Sequence, residues 1–365
     1  MNVVLSDNGR YSNTYVQNSK AIAILLMVLG HSNCSIPYVT QIIYMFHMPL
    51  FFFFSGFCFK KLYISDPKQF VWKRIKGIYW PYVKWSLVFL AFHNVFYTVN
   101  IYNAEFGTGM GSSQKYETKD FIFKAYTIIT HMNGHDQLLG GYWFLRALFF
   151  GSLFAFLLIS LSSFVKKRYG VSEKASTVFL ILVPLFITML INHVHLIVPF
   201  FHFGAQPTLA SVFFIIGYVF KRYNVHRLNK KHVLFGFAFV ALGSFFWRSD
   251  TNLLYYDNVK MIPFIITAVI GSWCVYSFNW ASLGHNCLLF LSFVGQHTLE
   301  ILTWHFLCFK FVSLCIICIY GLSVTHLAEF PVMGNYASLG WWLAYFLLGV
   351  ALPLFVPYLI RKSTD

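Results

Sequence analysis

Lys20-Ala-Ile-Ala-Ile-Leu-Leu-Met-Val-Leu-Gly-His31 is an apolar run held between two ionisable side chains. At ~100° and ~1.5 Å per helical residue, the eleven steps leave Lys20 and His31 within roughly 20° of one face and about 16 Å apart along the axis. The two share a wall and cannot touch. In a membrane helix, Lys20 lies near one interface and His31 close to mid-depth, where an ionisable group is costly and marks function.

The remaining sequence agrees with a membrane setting. Of 365 residues, 58% are hydrophobic and 11% charged, and the mean hydropathy is +0.63, outside the range of a soluble domain. Segments of roughly 17 to 25 apolar residues are long enough to span the hydrocarbon layer. About ten are found, near 18–36, 41–60, 78–99, 142–165, 175–198, 208–222, 232–247, 260–279, 298–320 and 338–360. The expected fold is all-α, a polytopic integral-membrane helical bundle.

Basic residues sort by loop. Lys60, Lys61, Lys68, Lys73, Arg74 and Lys76 follow the second span, and Lys166, Lys167, Arg168 and Lys174 the fourth. Lys221, Arg222, Arg227, Lys230 and Lys231 follow the sixth, and Arg361 and Lys362 the tenth. With Arg10 and Lys20, nineteen of the 27 basic residues fall on one side, so the positive-inside rule puts both termini in the cytoplasm. The net charge of +15 then reflects topology and attraction to anionic lipid rather than nucleic acid. The polar start lacks an apolar core ahead of a small-residue cleavage site, so the first span is expected to act as an uncleaved signal. The expected location is a cell membrane, the bacterial cytoplasmic one.

Residues 1–365 read as one membrane domain without an appended soluble catalytic domain or an internal repeat. The longest polar stretch, 100–141, is expected to be an extracytoplasmic loop. Its Gly107-Thr-Gly-Met-Gly111 lacks the preceding strand and the Gly-Lys-Ser or Gly-Lys-Thr ending of a phosphate loop. Within it, Asp120 to Thr130 reads as an interfacial helix beside an acceptor entrance. The cysteines, Cys308, Cys315 and Cys318 among them, sit mostly in apolar runs and read as small buried hydrophobes. No second pair or flanking histidine completes a metal site around Cys315 and Cys318, so no metal is expected.

The second span holds Phe46-His-Met-Pro-Leu-Phe-Phe-Phe-Phe-Ser-Gly56. Pro49 removes a backbone donor and bends the helix, implying a polar cavity nearby. The four phenylalanines cover the whole helix circumference and read as lipid contact and packing. Together with the lysine-x10-histidine run, this stretch resembles the opening signature of the acyltransferase-3 family of multispanning acyltransferases. Lys73-Arg-Ile-Lys-Gly-Ile-Tyr-Trp-Pro-Tyr82, Tyr142-Trp-Phe-Leu-Arg-Ala-Leu-Phe149 and Leu291-Ser-Phe-Val-Gly-Gln-His-Thr-Leu-Glu-Ile-Leu-Thr-Trp-His305 agree with it in order. Within the family, the chain is most similar to the stand-alone fucose and exopolysaccharide O-acetyltransferase group.

That resemblance implies transfer of an acyl group, commonly acetyl from acetyl-CoA, to a hydroxyl of a cell-surface glycan or lipid-linked sugar. Acetyl-CoA is then a substrate, and no permanently bound cofactor is implied. The resemblance also marks His31 as catalytic. At the family's paired basic position, usually arginine, stands Lys20, which keeps the charge and loses the bidentate fork. The chemistry agrees: acyl transfer needs a base for the acceptor hydroxyl, and imidazole suits that role.

Several further residues have two readings each. Lys20 either binds a coenzyme A phosphate or is a topology-setting flank. Arg74, clustered with Lys73 and Lys76, either grips coenzyme A phosphates or faces lipid headgroups. Trp143 and Arg146, both candidate substrate contacts, lie at the outer end of the fourth span, where Arg146 either orients the acceptor or snorkels to the interface. His47 and His305 are candidate substrate contacts. Ser55 is a nucleophile only beside His31 or His47, and otherwise packs helices. Glu300, the one acid within a span, is assigned to catalysis and needs a partner: His297, Lys310, or His31, whose ring it would then orient. The rival class is a transporter or flippase of a lipid-linked sugar, with His31, Glu300 and Lys310 as a proton or substrate path.

Overall fold

The computed structural model describes residues 13–107, 111–198, 203–246, 258–278 and 280–364. Arg10 and residues 108–110 of the glycine-rich stretch lie outside them. Among the described residues the chain is helical, with no strand beyond an isolated bridge between Val198 and Phe203. The helices are α1 (Asn13–His31), α2 (Val39–Phe57), α3 (Leu62–Ser65), α4 (Pro67–Arg74), α5 (Trp80–Thr98), α6 (Thr118–His131), α7 (Trp143–Tyr169) and α8 (Glu173–His193). There follow α9 (Ala205–Arg222), α10 (Lys230–Phe246), α11 (Asn258–Ser277), α12 (His285–Gln296), α13 (Thr298–Tyr320), α14 (Gly334–Tyr336) and α15 (Trp342–Thr364).

Each of the ten expected segments contains a long helix among the described residues. Among the described residues, six helical segments are long and apolar enough to cross a membrane: Val39–Phe57, Gln137–Tyr169, Glu173–His193, Asn258–Ser277, Thr298–Tyr320 and Gly334–Phe355. Local chemistry sets their starts. The Asp66 carboxylate accepts the Gln69 N–H at 3.1 Å ahead of α4, and Ser172 Oγ accepts the Ala175 N–H at 3.2 Å ahead of α8; both satisfy backbone donors that a first turn leaves unpaired.

Helix α2 is central, packed by α1, α7, α9, α10 and α11. Phe52, Phe53 and Phe54 are buried and Phe51 is half-buried, so the phenylalanine run packs helices and does not line the lipid face. Helices α2 and α9 cross at backbone contact. A Cβ at Gly56 would stand 1.8 Å from the Phe214 carbonyl oxygen, and one at Gly217 would stand 1.9 Å from that of Phe53. Small residues allow this approach, on which membrane helix packing relies. Gly56→Ala is therefore expected to destabilise by about 1–3 kcal/mol through overpacking. Thermal unfolding of the purified protein reads this as a lower Tm, and an unchanged Tm would refute the crossing.

Three expectations are corrected here. Helix α1 ends at His31 rather than running on to residue 36, because the Ser32 N–H and hydroxyl both turn back onto the Leu29 carbonyl, at 3.3 and 2.8 Å, and Asn33 takes a left-handed φ of 55°. His31 is thus a half-buried helix terminus and not a mid-helix residue. The stretch 100–141 is not simply an external loop, since its second half folds back into the bundle. Helix α6 exposes Ile122, Phe123, Tyr126 and Ile129, as an interfacial helix would, and its last turn accepts a hydrogen bond from Tyr79 to the Ile129 carbonyl at 2.8 Å. The following 3-10 turn, Gln137–Tyr142, packs against α13, where Tyr142 and Thr303 share a hydrogen bond of 2.8 Å. Finally, Cys315 and Cys318 are exposed, while Cys308 is buried as expected.

Asp136 anchors this inward turn. Its carboxylate accepts the Leu138 N–H at 3.1 Å, the Tyr102 hydroxyl and His93 Nδ1 at 3.1 Å. Three donors, together with the parallel ring of Tyr116 stacked 3.5 Å from His93, fasten the turn to α5. Buried carboxylates persist when so fully hydrogen-bonded.

Candidate active site

His31 Nδ1 lies 3.2 Å from Nε2 of His305, which is fully buried. The other nitrogen of His305, Nδ1, faces the carbonyls of Ile301 at 2.9 Å and Leu302 at 3.1 Å. Carbonyls only accept, so His305 Nδ1 carries the proton, and the neutral ring presents the Nε2 lone pair to His31. His31 Nδ1 is then the donor, leaving its Nε2 with a free lone pair. The arrangement assigns the tautomer of His31 in the way that a buried orienting group does for the histidine of known catalytic triads. The His31 ring stacks on Phe306 at 4.9 Å between centroids, which fixes its plane.

His305 was expected as a substrate contact, and the structure makes it the partner of His31. No periodicity signals that pairing, because 274 residues separate the two. His47 is buried, bonds back to the Ile43 carbonyl through Nδ1 at 2.7 Å, and lies in electrostatic range of His31.

A cavity of about 420 Å³ opens at the loop side of α1, α2 and α4, lined by Lys20, Ser55, Cys58, Lys73 and Arg74 among apolar side chains. A second, of about 280 Å³, shares Lys20, Phe51, Lys73, Arg74 and Leu148 with it and continues inward past Met27, Met48 and Leu302. Met27 is one helical turn before His31, and Leu302 one turn before His305. The mouth is cationic and the inner reach apolar, and it leads toward the histidine pair.

Lys20 is held by the Gln17 side chain at 3.0 Å. Arg74 donates to Ser55 Oγ at 3.0 Å and lies over the rings of Phe70 and Phe214, 4.9 and 5.6 Å from their centroids. Burial lowers the Arg74 guanidinium to about 10, so it stays charged at neutral pH. Ser55 therefore positions Arg74, and no histidine adjoins it as a nucleophile would require. Lys73, expected only as a member of the cluster, reaches Tyr63 at 3.2 Å and lines both cavities.

Glu300 is half-buried and in electrostatic range of Lys20 and Tyr142. Among the described residues it forms no hydrogen bond or ion pair, so none of the three partners offered for it, His297, Lys310 and His31, is engaged. His297 instead bonds to the Phe293 carbonyl at 2.9 Å. Lys310 is buried against the carbonyls of Leu327 at 2.9 Å and Glu329 at 2.7 Å, where it pins an inter-helix loop. His31, Glu300 and Lys310 thus do not form a continuous path. Trp143 is half-buried in the core without a hydrogen bond among the described residues. Arg146 does not snorkel: it is buried and lines a separate cavity between α7, α8 and α9. No group of three or more histidine, cysteine or carboxylate side chains suited to a metal occurs among the described residues.

A family model described as an acyltransferase domain matches residues 13–361, which include α1, both cavities and the His31–His305 pair. No curated protein and no solved structure matches the chain. With nearly its full length covered and its helices apolar enough to span a bilayer, the chain belongs to the acyltransferase-3 family and is a membrane acyltransferase.

Proposed function

We propose that the protein is an O-acetyltransferase that moves acetyl from acetyl-CoA to a hydroxyl of a cell-surface glycan or lipid-linked sugar, as in the fucose and exopolysaccharide group, with His31 as general base. The observation that carries this reading is the cationic mouth of Lys20, Lys73 and Arg74, whose inner cavity is lined by Met27 and Leu302, each one helical turn from the His31–His305 pair. In this reading all ten long helices cross the bacterial cytoplasmic membrane within a single domain, and both termini and the cavity mouth face the cytoplasm. Coenzyme A phosphates bind the basic mouth, and the pantetheine arm lies along the apolar inner reach.

His31 Nε2 takes the acceptor's hydroxyl proton as the oxygen attacks the thioester carbonyl. The tetrahedral intermediate collapses and expels the coenzyme A thiolate, which recovers the proton from His31. His305 accepts the His31 Nδ1–H throughout. The half-buried position of His31 at the end of α1 suits an acceptor arriving from the side opposite the cavity mouth. Glu300 offers a negative charge in electrostatic range of Lys20, which the Gln17 side chain holds at the mouth.

Purified protein in nanodiscs is expected to release free thiol from acetyl-CoA when an acceptor glycan is supplied, with matching O-acetyl signals on the glycan by magnetic resonance. Arg74→Gln should raise the KM for acetyl-CoA by roughly tenfold or more while kcat changes little, since a charged hydrogen bond to phosphate is lost in ground and transition states alike. A wild-type protein that ignores acetyl-CoA would refute the donor assignment. An unchanged KM would remove Arg74 from the donor site.

A further inference from the structure

Arg146 is a cation buried inside the bundle, 8% exposed, whose Nε has no partner and whose guanidinium makes no hydrogen bond or ion pair among the described residues. It lines a cavity of about 260 Å³ walled by Asn192, His195, Gly204, Gln206 and neighbouring apolar residues. An uncompensated buried charge costs several kcal/mol, and in a membrane bundle it persists where a ligand neutralises it. No carboxylate among the described residues forms an ion pair with it, and from Lys174 to Ser249, which includes the α8 and α9 walls, the sequence contains no acid. His135, in electrostatic reach, is also orphaned at Nε2; burial, then Arg146 and Lys124, push it down to about 3, and an imidazole in either protonation state cannot balance a guanidinium.

The opposite wall supplies complementary donors. Helix α9 is 18 residues long and begins at Ala205 on this cavity, so its free N–H groups and positive dipole end face the same space as Arg146. The Gln206 and Asn192 amides add neutral hydrogen-bonding capacity. The cavity lies at the end of α7 remote from Lys166, Lys167 and Arg168 and shares no lining residue with the cationic mouth.

We propose that Arg146 and the start of α9 form a binding site for an anionic oxygen group, a carboxylate or phosphate carried by the acyl acceptor or its lipid carrier. This deepens the acceptor reading above and rests on it for the ligand's role, while the site itself is tested without acetyl-CoA. A bidentate guanidinium matches either oxyanion, and the site would select charged over neutral acceptors.

The test uses full-length protein in neutral-lipid nanodiscs, with thermal shift and calorimetric titration against methyl glucoside, methyl glucuronide, glucose 1-phosphate and farnesyl diphosphate. At least one anionic probe should bind roughly tenfold or more tightly than the neutral glucoside. Preference for the glucuronide assigns the charge to the sugar, and preference for farnesyl diphosphate assigns it to the carrier; either supports the site. Arg146→Gln should abolish the preference and Arg146→Lys should keep part of it. Arg146→Met should fold with an unchanged or higher Tm in the absence of probe, because the uncompensated charge is removed. Gln206→Ala, on the cavity wall, should weaken the anion without changing the Tm. Equal binding of neutral and anionic probes by the wild type, or an anion response retained in Arg146→Gln, overturns the proposal. Because no acyl donor is present, a failed transfer assay and a failed anion assay are separate results.

Discussion

His31→Ala is expected to lower kcat for acetyl transfer by roughly 100- to 10,000-fold, the range that a positioned general base contributes. The substitution removes the imidazole whose Nε2 lone pair is set free by the bond from Nδ1 to His305. Since Lys20, Lys73 and Arg74 stand at its mouth, acetyl-CoA affinity should change little, so the loss falls on kcat rather than on donor binding. Stability should fall only modestly, because His31 is half-buried and ends its helix. The measurement is thiol release by folded, monodisperse protein, alongside acetyl-CoA titration. Transfer within a few-fold of wild type in a folded His31→Ala protein would remove the base assignment.

The second large effect is expected at His305, a positioning residue. His305→Ala deletes the acceptor of the His31 Nδ1–H bond, freeing His31 to place its proton on Nε2, the nitrogen that must be bare to act. A loss of roughly 100-fold or more in kcat is expected, by analogy with orienting groups whose removal leaves the wrong tautomer. A purely structural role predicts something else. Truncating a fully buried ring lowers the Tm whatever its chemistry, whereas the tautomer role predicts that His305→Gln recovers much of the rate, because its amide oxygen can again accept from His31 Nδ1. The pH profile of kcat should also move in His305→Ala and return in His305→Gln. If both variants lose only stability and keep the wild-type profile, His305 is packing alone.

The membrane class and the helices were legible along the chain because both depend on local properties. A run such as Val39 to Phe57 is apolar over a bilayer's length, and the basic clusters after it mark a loop. The spacing of Lys20 and His31 placed both on one face, and the structure keeps Lys20 at the cavity that leads toward His31. The end of α1 was misjudged because Ser32 and Asn33 terminate the helix through turn geometry, which hydropathy does not register. The inward fold of the 100–141 stretch was hidden for a related reason. Its polar residues, Asp136 above all, read as solvated until Tyr102, His93 and the Leu138 N–H are seen to satisfy them.

By itself, then, the sequence determined a helical membrane protein, a cationic flank on α1, and a histidine that resembles the reactive residue of an acyltransferase family. Only the tertiary structure decided the partners: His305 rather than Glu300 for His31, Ser55 for Arg74, the 327–329 loop for Lys310, and none within the described chain for Arg146. The physical reason is that hydropathy and helical period are summed over neighbours in sequence. A hydrogen bond depends on a few tenths of an ångström between side chains brought together from distant helices, and no local pattern encodes that distance.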